Sequence, residues 1–238
     1  MKYNYQLPYE KPSRTQFGEW GIIELMLAGL RDPQHTFVEI GFGTGDTNMT
    51  MDLLDRGYSG VGIDARDWDP GYSNQWGDRL TKIQSWVWPN NVLDLVDAKS
   101  SPDFFSLDID SFDYEIAGLL LQQGFRPAVV CCEINKHFYN QLASFPCSYD
   151  TAKYIYDRKF IYGCSLPKYQ SLWSQYGYQF FTFNTGEVNA FWYDPSRVTM
   201  VDGTPTLQTL DPKDTEVIRQ KISQHWYWGQ RIEEIYQS

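Results

Sequence analysis

Short apolar runs alternate with amphipathic segments along most of the chain, a pattern typical of a sheet whose strands are connected by helices. Five of the runs predict successive parallel strands, at residues 36–40, 60–64, 82–88, 103–110 and 127–133. The segments around them predict helices at residues 13–30, 47–54, 92–96, 114–122 and 166–176. The fifth run is apolar throughout, as expected for a parallel strand that is buried on both faces.

Two further strands are predicted at residues 177–183 and 189–193, on either side of an Asn-Thr-Gly-Glu turn that favours a hairpin. The chain is therefore expected to have an α/β fold, with a Rossmann-like, doubly wound sheet of seven strands that ends in an antiparallel hairpin. We predict one domain over residues 13–200, an extended arm over residues 1–12, and a C-terminal extension over residues 201–238 with a helix at 212–228.

Composition narrows the class of partner. Among 238 residues, 20 Lys and Arg oppose 30 Asp and Glu, for a net charge of −10, which disfavours nucleic acids and anionic membranes as partners. The chain does not open on an apolar leader, contains no apolar run long enough to span a bilayer, and has four cysteines without a C-x-x-C pair. These features predict a cytoplasmic protein, and they leave its oligomeric state open.

A glycine-rich turn follows the first predicted strand and carries the strongest functional signal. Glu39 lies near the end of that strand, Gly41, Gly43 and Gly45 follow it, and the second strand ends in Asp64. A strand, a glycine loop, a helix and a second strand with a terminal acid are typical of a nucleoside-binding unit. The glycines let backbone approach a ligand, and a carboxylate offers two acceptors to the two hydroxyls of a ribose.

The spacing of the glycines indicates which nucleoside would bind. A dinucleotide site requires G-x-G-x-x-G, but Asp46 occupies the place of the third glycine. An acid at the start of the following helix would repel a pyrophosphate, so the turn disfavours a dinucleotide. Alternatively, the glycines only form a tight turn, Glu39 only anchors it, and Asp64 only caps a helix.

The pattern E-x-G-x-G-x-G resembles motif I of class I S-adenosylmethionine-dependent methyltransferases. The order and spacing of several blocks resemble the FkbM-like members of that class, at residues 16–24, 37–41, 57–64, 107–114, 126–135, 162–165 and 186–192. The resemblance covers residues 13–195 and implies the class I fold, S-adenosylmethionine as cofactor, and usually oxygen methylation of a sugar or another small metabolite. Ser111 and Trp20 depart from the pattern, where relatives have a glycine and an acid, and this leaves the acceptor open more than the cofactor.

Acids also follow the fourth and fifth predicted strands. Asp108 and Asp110 are expected on one face of the fourth strand, close to Asp113, while Glu133 ends the fifth and His137 follows it. In a first interpretation, Asp108, Glu133 or His137 is the general base for methyl transfer. In a second, Asp108, Asp110 and Glu133 hold Mg²⁺ or Ca²⁺, a possibility that we do not favour. In a third, Asp110 and Asp113 cap the next helix, and Asp108 binds the methionine part of the cofactor.

Three further residues are weaker candidates. Gln16 and Glu19 would lie on a first helix that leans over the cofactor, with a solvated helix face as the alternative, and Trp86 would pack near adenine or in the core. Three histidines without a paired motif give no reason to expect zinc.

The sequence thus predicts a methyltransferase that acts on a hydroxyl of a small polar metabolite, mainly by positioning the reactants. Aromatic segments at residues 65–79 and 136–164 would exclude water from the site. A nicotinamide-dependent oxidoreductase and a non-catalytic nucleoside-binding or interaction module on the same fold are the alternatives.

Overall fold

The computed structural model describes residues 13–44, 47–67, 75–136, 142, 144, 163–184, 186 and 188–200. Within these residues there are seven strands, β1 (Thr36–Ile40), β2 (Ser59–Asp64), β3 (Leu80–Gln84), β4 (Phe104–Leu107), β5 (Val129–Glu133), β6 (Gln179–Phe183) and β7 (Asn189–Tyr193). Five α-helices accompany them in the same residues, α1 (Trp20–Leu27), α2 (Met51–Asp55), α3 (Val92–Leu95), α4 (Asp113–Gln123) and α5 (Leu166–Gln175). The predicted arm at residues 1–12 and the extension at 201–238 lie outside the described residues.

The seven strands form one sheet in the order β3-β2-β1-β4-β5-β7-β6. Strands β1 to β5 are parallel to their neighbours, whereas β7 runs antiparallel to both β5 and β6. This arrangement confirms the predicted doubly wound sheet with a terminal antiparallel hairpin. The order reverses beside β1, which pairs with β2 on one side and β4 on the other, so the switch point of the sheet lies there.

Both faces of the sheet are covered. One apolar cluster contains α3, α4 and α5 side chains such as Val92, Leu120 and Trp173, and the other contains α1 and α2 side chains such as Ile22 and Leu53. Cys131 and Cys132 are adjacent in β5 and belong to opposite clusters, as strand geometry requires. None of the helices in the described residues combines the length and apolar character that crossing a bilayer requires.

The first helix is shorter than predicted. Helix α1 begins at Trp20, not at residue 13, because Gly18 adopts a positive φ of 85° and polar side chains hold the preceding segment in a bend. Glu19 accepts a hydrogen bond from the Phe17 N–H at 2.8 Å, and the Thr15 hydroxyl accepts one from the Trp20 N–H at 3.3 Å. The predicted apolar stripe was correct for Ile22, Ile23 and Met26, but local side-chain bonds displaced the start of the helix, and it ends at Leu27, not at residue 30.

Two strands also end earlier than predicted. The third ends at Gln84, not at residue 88, because the Asn91 side chain bonds the backbone of Trp86 and Trp88 and turns the chain. The fourth ends at Leu107, not at residue 110, and Asp110 has a left-handed φ of 58° that a strand does not accommodate. The expectation that Asp108 and Asp110 share a strand face was therefore wrong.

A buried ion pair joins the segments that precede the strands. Arg197 donates to Asp103 at 3.0 Å, and the other oxygen of Asp103 accepts from the N–H groups of Gln34 and His35. The same guanidinium also donates to three backbone carbonyls, those of Ser101, Pro102 and Arg126. One arginine after β7 thereby holds the segments that lead into β1, β4 and β5.

Replacing Arg197 by alanine should lower the free energy of unfolding by roughly 3 kcal/mol, because a buried carboxylate then loses its charged partner. Urea denaturation measures the effect. Arg31→Ala is the matched control, since Arg31 is exposed and, in the part of the chain that the structure describes, its side chain bonds the nearby Thr199 and Ser196 groups. Its effect should stay within about 0.5 kcal/mol. Equal effects of the two substitutions would contradict a structural role for the buried pair.

Candidate active site

The candidate site lies at the carboxyl ends of β1, β2, β4 and β5, where the strand order reverses and ligands bind in open α/β sheets. Of the predicted site residues, Glu39, Gly41, Gly43, Asp64, Asp108 and Glu133 all lie in or directly after these strands. Gly45 and His137 lie outside the described residues, as does Asp46. The sheet topology thus brings together acids that are distant in the sequence.

The first two glycines of the turn have a steric reason to be glycine. Gly41 has a φ of 90°, and a Cβ added there would lie 1.7 Å from the carbonyl oxygen of Asp108. Gly43 has a φ of 71°, and its N–H donates to Asp64 at 2.7 Å. The turn therefore passes against the segment after β4 on one side and is tied to the end of β2 on the other.

Glu39 is buried and holds the far end of the same turn. Its carboxylate accepts from the Met49 N–H at 2.9 Å and from the Thr50 hydroxyl, just before α2 begins. Burial raises the pKa of Glu39 to about 7, although these hydrogen bonds oppose the rise. This geometry matches the anchoring role considered for Glu39, while a role toward a cofactor stays a prediction.

Asp64 is 8% exposed and already has four donors. One oxygen accepts from the Gly43 N–H at 2.7 Å and from Arg66 Nη2 at 3.3 Å, and the other accepts from the Arg66 N–H at 2.8 Å and Nε at 3.0 Å. Within the described residues Asp64 bonds the glycine turn and its own arginine neighbour, and the helix-capping alternative stays a prediction. Sequence reasoning missed Arg66, although its position two residues beyond the acid was a usable signal.

Asp108, Asp110 and Glu133 form a carboxylate cluster beside the glycine turn. One oxygen from each lies within 4.8 Å of the others. Burial, followed by repulsion from neighbouring acids, raises the pKa of both Asp108 and Glu133 well above the usual range, and burial also raises that of Asp110. Such a cluster can share a proton among its carboxylates or hold a divalent cation, and the carboxylates alone do not distinguish these uses.

Asp113 has a structural role in the loop after β4. Its two oxygens accept from the N–H groups of Ile109 at 2.9 Å and Ser111 at 2.7 Å, and burial raises its pKa to about 6. It therefore fixes the backbone that presents Asp108 and Asp110 to the crevice. Both donors precede α4, so these bonds do not cap the helix as the third interpretation predicted for Asp113. The role of Asp108 stays a prediction.

The three weaker candidates are Gln16, Glu19 and Trp86, and none has the position that the sequence predicted for it. Gln16 is exposed and lies before α1, so it does not lean over the crevice from a helix as predicted. Glu19 is buried and accepts from the side-chain amides of Asn184 at 2.7 Å and Asn189 at 2.9 Å, which ties it to the β6–β7 turn. Trp86 is 54% exposed and lies beyond the end of β3, so it is not a core residue.

The strand order, the reversed β7 and the glycine turn at the switch point together define the class I methyltransferase fold. That fold confirms the architecture implied by the sequence resemblance, but not the FkbM-like subgroup. No protein-family model matches the chain, and no curated protein matches it.

Solved structures that resemble the chain do so at low identity. A candidate hemolysin from Lactococcus lactis is 15% identical and aligns with 76% of this chain and 86% of its own, with a TM-score of 0.46. Another from Streptococcus thermophilus is 14% identical and aligns with 97% of this chain and 79% of its own, with a TM-score of 0.49. A third is the 1,6-didemethyltoxoflavin-N1-methyltransferase of Burkholderia thailandensis, solved with S-adenosylhomocysteine. It is 12% identical and aligns with 72% of this chain and 76% of its own, with a TM-score of 0.47. Similarities this distant indicate neither a substrate nor an activity for this chain.

Substituting Gly41 by alanine should destabilise the protein more than the same change at Gly57. Both glycines have a positive φ, near 90°, which costs alanine about 1–2 kcal/mol, but nothing lies within 4 Å of a Cβ at Gly57. At Gly41 the added methyl group must also displace the Asp108 carbonyl. Urea denaturation of the two variants measures the difference, and equal losses would show that the turn does not pack against Asp108 in solution.

The stability of the protein should depend on the ionisation of Glu39. Because the folded pKa of about 7 exceeds the ordinary glutamate pKa of 4.5, the unfolded chain releases this proton first as the pH rises. The free energy of unfolding should therefore fall between about pH 4.5 and 7, by at most roughly 1.4 kcal/mol per pH unit from this group.

Glu39→Gln provides the comparison for that pH dependence, since a glutamine can still accept from Met49 and donate to Thr50. The variant should gain stability relative to the unmodified protein as the pH rises through this range, with no further gain above about pH 7. Urea denaturation at a series of pH values measures both curves. Parallel curves would mean that Glu39 keeps an ordinary pKa in the folded protein.

Proposed function

We propose that this chain is an S-adenosylmethionine-dependent methyltransferase that methylates a hydroxyl group of a small polar metabolite, with sugars as the leading class of acceptor. We further propose that it belongs with the FkbM-like enzymes and works in the cytoplasm, as the resemblance and the composition indicate. The observation that carries the proposal is the glycine turn at the switch point, where the Gly43 N–H donates to Asp64 and Gly41 packs against the backbone of Asp108, a member of the carboxylate cluster.

The residues of the crevice fit this cofactor in shape and in charge. The absence of side chains at Gly41 and Gly43 leaves backbone available for close approach, and Asp64 lies where a ribose diol would be bound. Five further acids lie in or around the crevice, namely Glu39, Asp108, Asp110, Asp113 and Glu133. Such surroundings favour a cationic sulfonium compound and oppose the diphosphate of a nicotinamide cofactor.

The carboxylate cluster supplies a candidate base. When bound, S-adenosylmethionine supplies an electrophilic methyl group, so the protein has to align the acceptor and remove one proton. Burial is the main cause of the raised pKa of Asp108 and Glu133, and a raised pKa makes either carboxylate a stronger base toward a hydroxyl proton. His137, the third candidate base, remains a proposal from the sequence.

The same cluster could orient the acceptor through hydrogen bonds, since unprotonated carboxylate oxygens accept from sugar hydroxyls. Oε2 of Glu133 is shielded from solvent and accepts no hydrogen bond from the described residues, so a hydroxyl at this position would satisfy it. The proposal does not need a metal ion, although the oxygens of the cluster could hold one. Gln16 and Gly45 complete the proposed cofactor-binding residues.

The cofactor assignment is tested by titration calorimetry of the purified full-length chain with S-adenosylmethionine, S-adenosylhomocysteine and NAD. We expect both adenosyl compounds to bind and NAD not to bind. Asp64→Ala should weaken the binding of both adenosyl compounds roughly 100-fold or more, because hydrogen bonds to a charged acceptor contribute about 1.5–3 kcal/mol each.

Asp94→Ala is the matched control for that variant, since Asp94 is an exposed acid in the one-turn helix α3. It should bind the cofactor as the unmodified protein does. Tighter binding of NAD than of the two adenosyl compounds would support the oxidoreductase alternative. Tight cofactor binding without methyl transfer to any of a panel of hydroxyl acceptors would support the non-catalytic alternative.

A further inference from the structure

The carboxylate of Asp64 has no acceptor site left for a ligand. A carboxylate has about four lone-pair sites, and here each oxygen accepts two hydrogen bonds. Two of the four donors are backbone N–H groups, from Gly43 and Arg66, which hold the carboxylate in position. The other two are the Nε and Nη2 groups of the Arg66 guanidinium, and these can leave without any change in the backbone.

The guanidinium of Arg66 lies over the glycine turn. Its Nη2 atom would be 3.4 Å from a Cβ placed on Gly43, so it occupies the space beside the turn that a nucleoside sugar would need. The Arg66 side chain is 66% exposed, whereas that of Asp64 is 8% exposed. An ion pair with one well-solvated partner is worth about 0–1 kcal/mol, which makes this contact a weak one to displace.

We propose that Arg66 is an internal competitor of the cofactor, which covers Asp64 in the unliganded protein and is displaced by the ribose hydroxyls. The inference rests on the proposed function, and it adds a residue that sets the affinity and the order of binding. Displacement exchanges two guanidinium donors for two hydroxyl donors on the same carboxylate, while the backbone bonds from Gly43 and Arg66 remain.

The displaced guanidinium has a second carboxylate within its electrostatic reach. Asp110 is close enough for the charge of Arg66 to act on it, and it belongs to the cluster with Asp108 and Glu133. A swing of Arg66 from Asp64 toward Asp110 would bring positive charge to the acids beside the acceptor site when the cofactor binds. Cofactor binding and the charge of the acceptor site are thereby coupled, and the coupling must be reciprocal.

The first test is calorimetry with S-adenosylhomocysteine, which cannot transfer a methyl group, on the unmodified full-length chain and on Arg66→Met. Methionine keeps an unbranched side chain but has no donor for Asp64. We expect Arg66→Met to bind about two- to fivefold more tightly, the range expected when a solvated ion pair no longer has to be broken. Arg66→Lys, which retains one charged donor, should fall between the two.

The second test is a double-mutant cycle with Asp110→Asn. Asparagine tolerates the left-handed backbone at this position, so the change removes charge without disturbing the loop. Alone, Asp110→Asn should weaken S-adenosylhomocysteine binding by about twofold or more, because the displaced arginine loses its second partner. In the presence of Arg66→Met the same change should have no effect on affinity.

The outcomes separate the inference from the proposed function. If the unmodified chain and Arg66→Met both fail to bind S-adenosylhomocysteine, the proposed function is wrong. If the unmodified chain binds it and Arg66→Met binds equally or more weakly, the proposed function stands but Arg66 does not compete with the cofactor. In that case Arg66 either has no effect on affinity or contacts the cofactor directly. Additive effects of the two substitutions would overturn the swing toward Asp110.

Discussion

The close passage of the Gly41 backbone along the carbonyl group of Asp108 is the constraint on which the rest of the site depends. With no side chain at Gly41, the turn after β1 and the loop after β4 share one crevice, and a methyl group there would overlap the Asp108 carbonyl. The contact brings the turn that bonds Asp64 against the loop that carries Asp108 and Asp110. Since methyl transfer needs two bound molecules in line, this packing of the two segments is what makes the proposed chemistry feasible.

Electrostatics follows from that arrangement. Acids whose charges would be dispersed on a surface are here gathered at the ends of four buried strands, and burial raises the pKa of most of them. Some of these acids are held by backbone hydrogen bonds: Glu39 accepts from the segment just before α2, and Asp113 accepts from the loop after β4. Arg66 brings a positive charge into this region from the exposed side, which is why its position matters for any ligand.

The strands and their order were largely predictable, because apolar periodicity and a hairpin turn are local signals that sheet packing reinforces. The ends of elements were not, and the reasons are particular. Gly18 and Glu19 delayed the first helix, Asn91 turned the chain after β3, and Asp110 took a left-handed conformation after β4. For the site, the sequence placed Glu39, Asp64, Asp108 and Glu133 correctly at strand ends. It could not reveal the bonds of Glu19 to Asn184 and Asn189, because those depend on distances across the fold. The bond of Arg66 to Asp64 is local and could have been found from their spacing.

The adjacent cysteines of β5 can serve as natural probes of how the helices on each face of the sheet detach. Cys131 and Cys132 are both buried, and burial raises the pKa of each thiol well above its usual value, so neither forms a reactive thiolate in the native state. They lie on opposite faces of the central sheet, one beneath the helices α1 and α2 and the other beneath α4 and α5. Alkylation kinetics of these two natural thiols would therefore report how each helical layer detaches, without any introduced label.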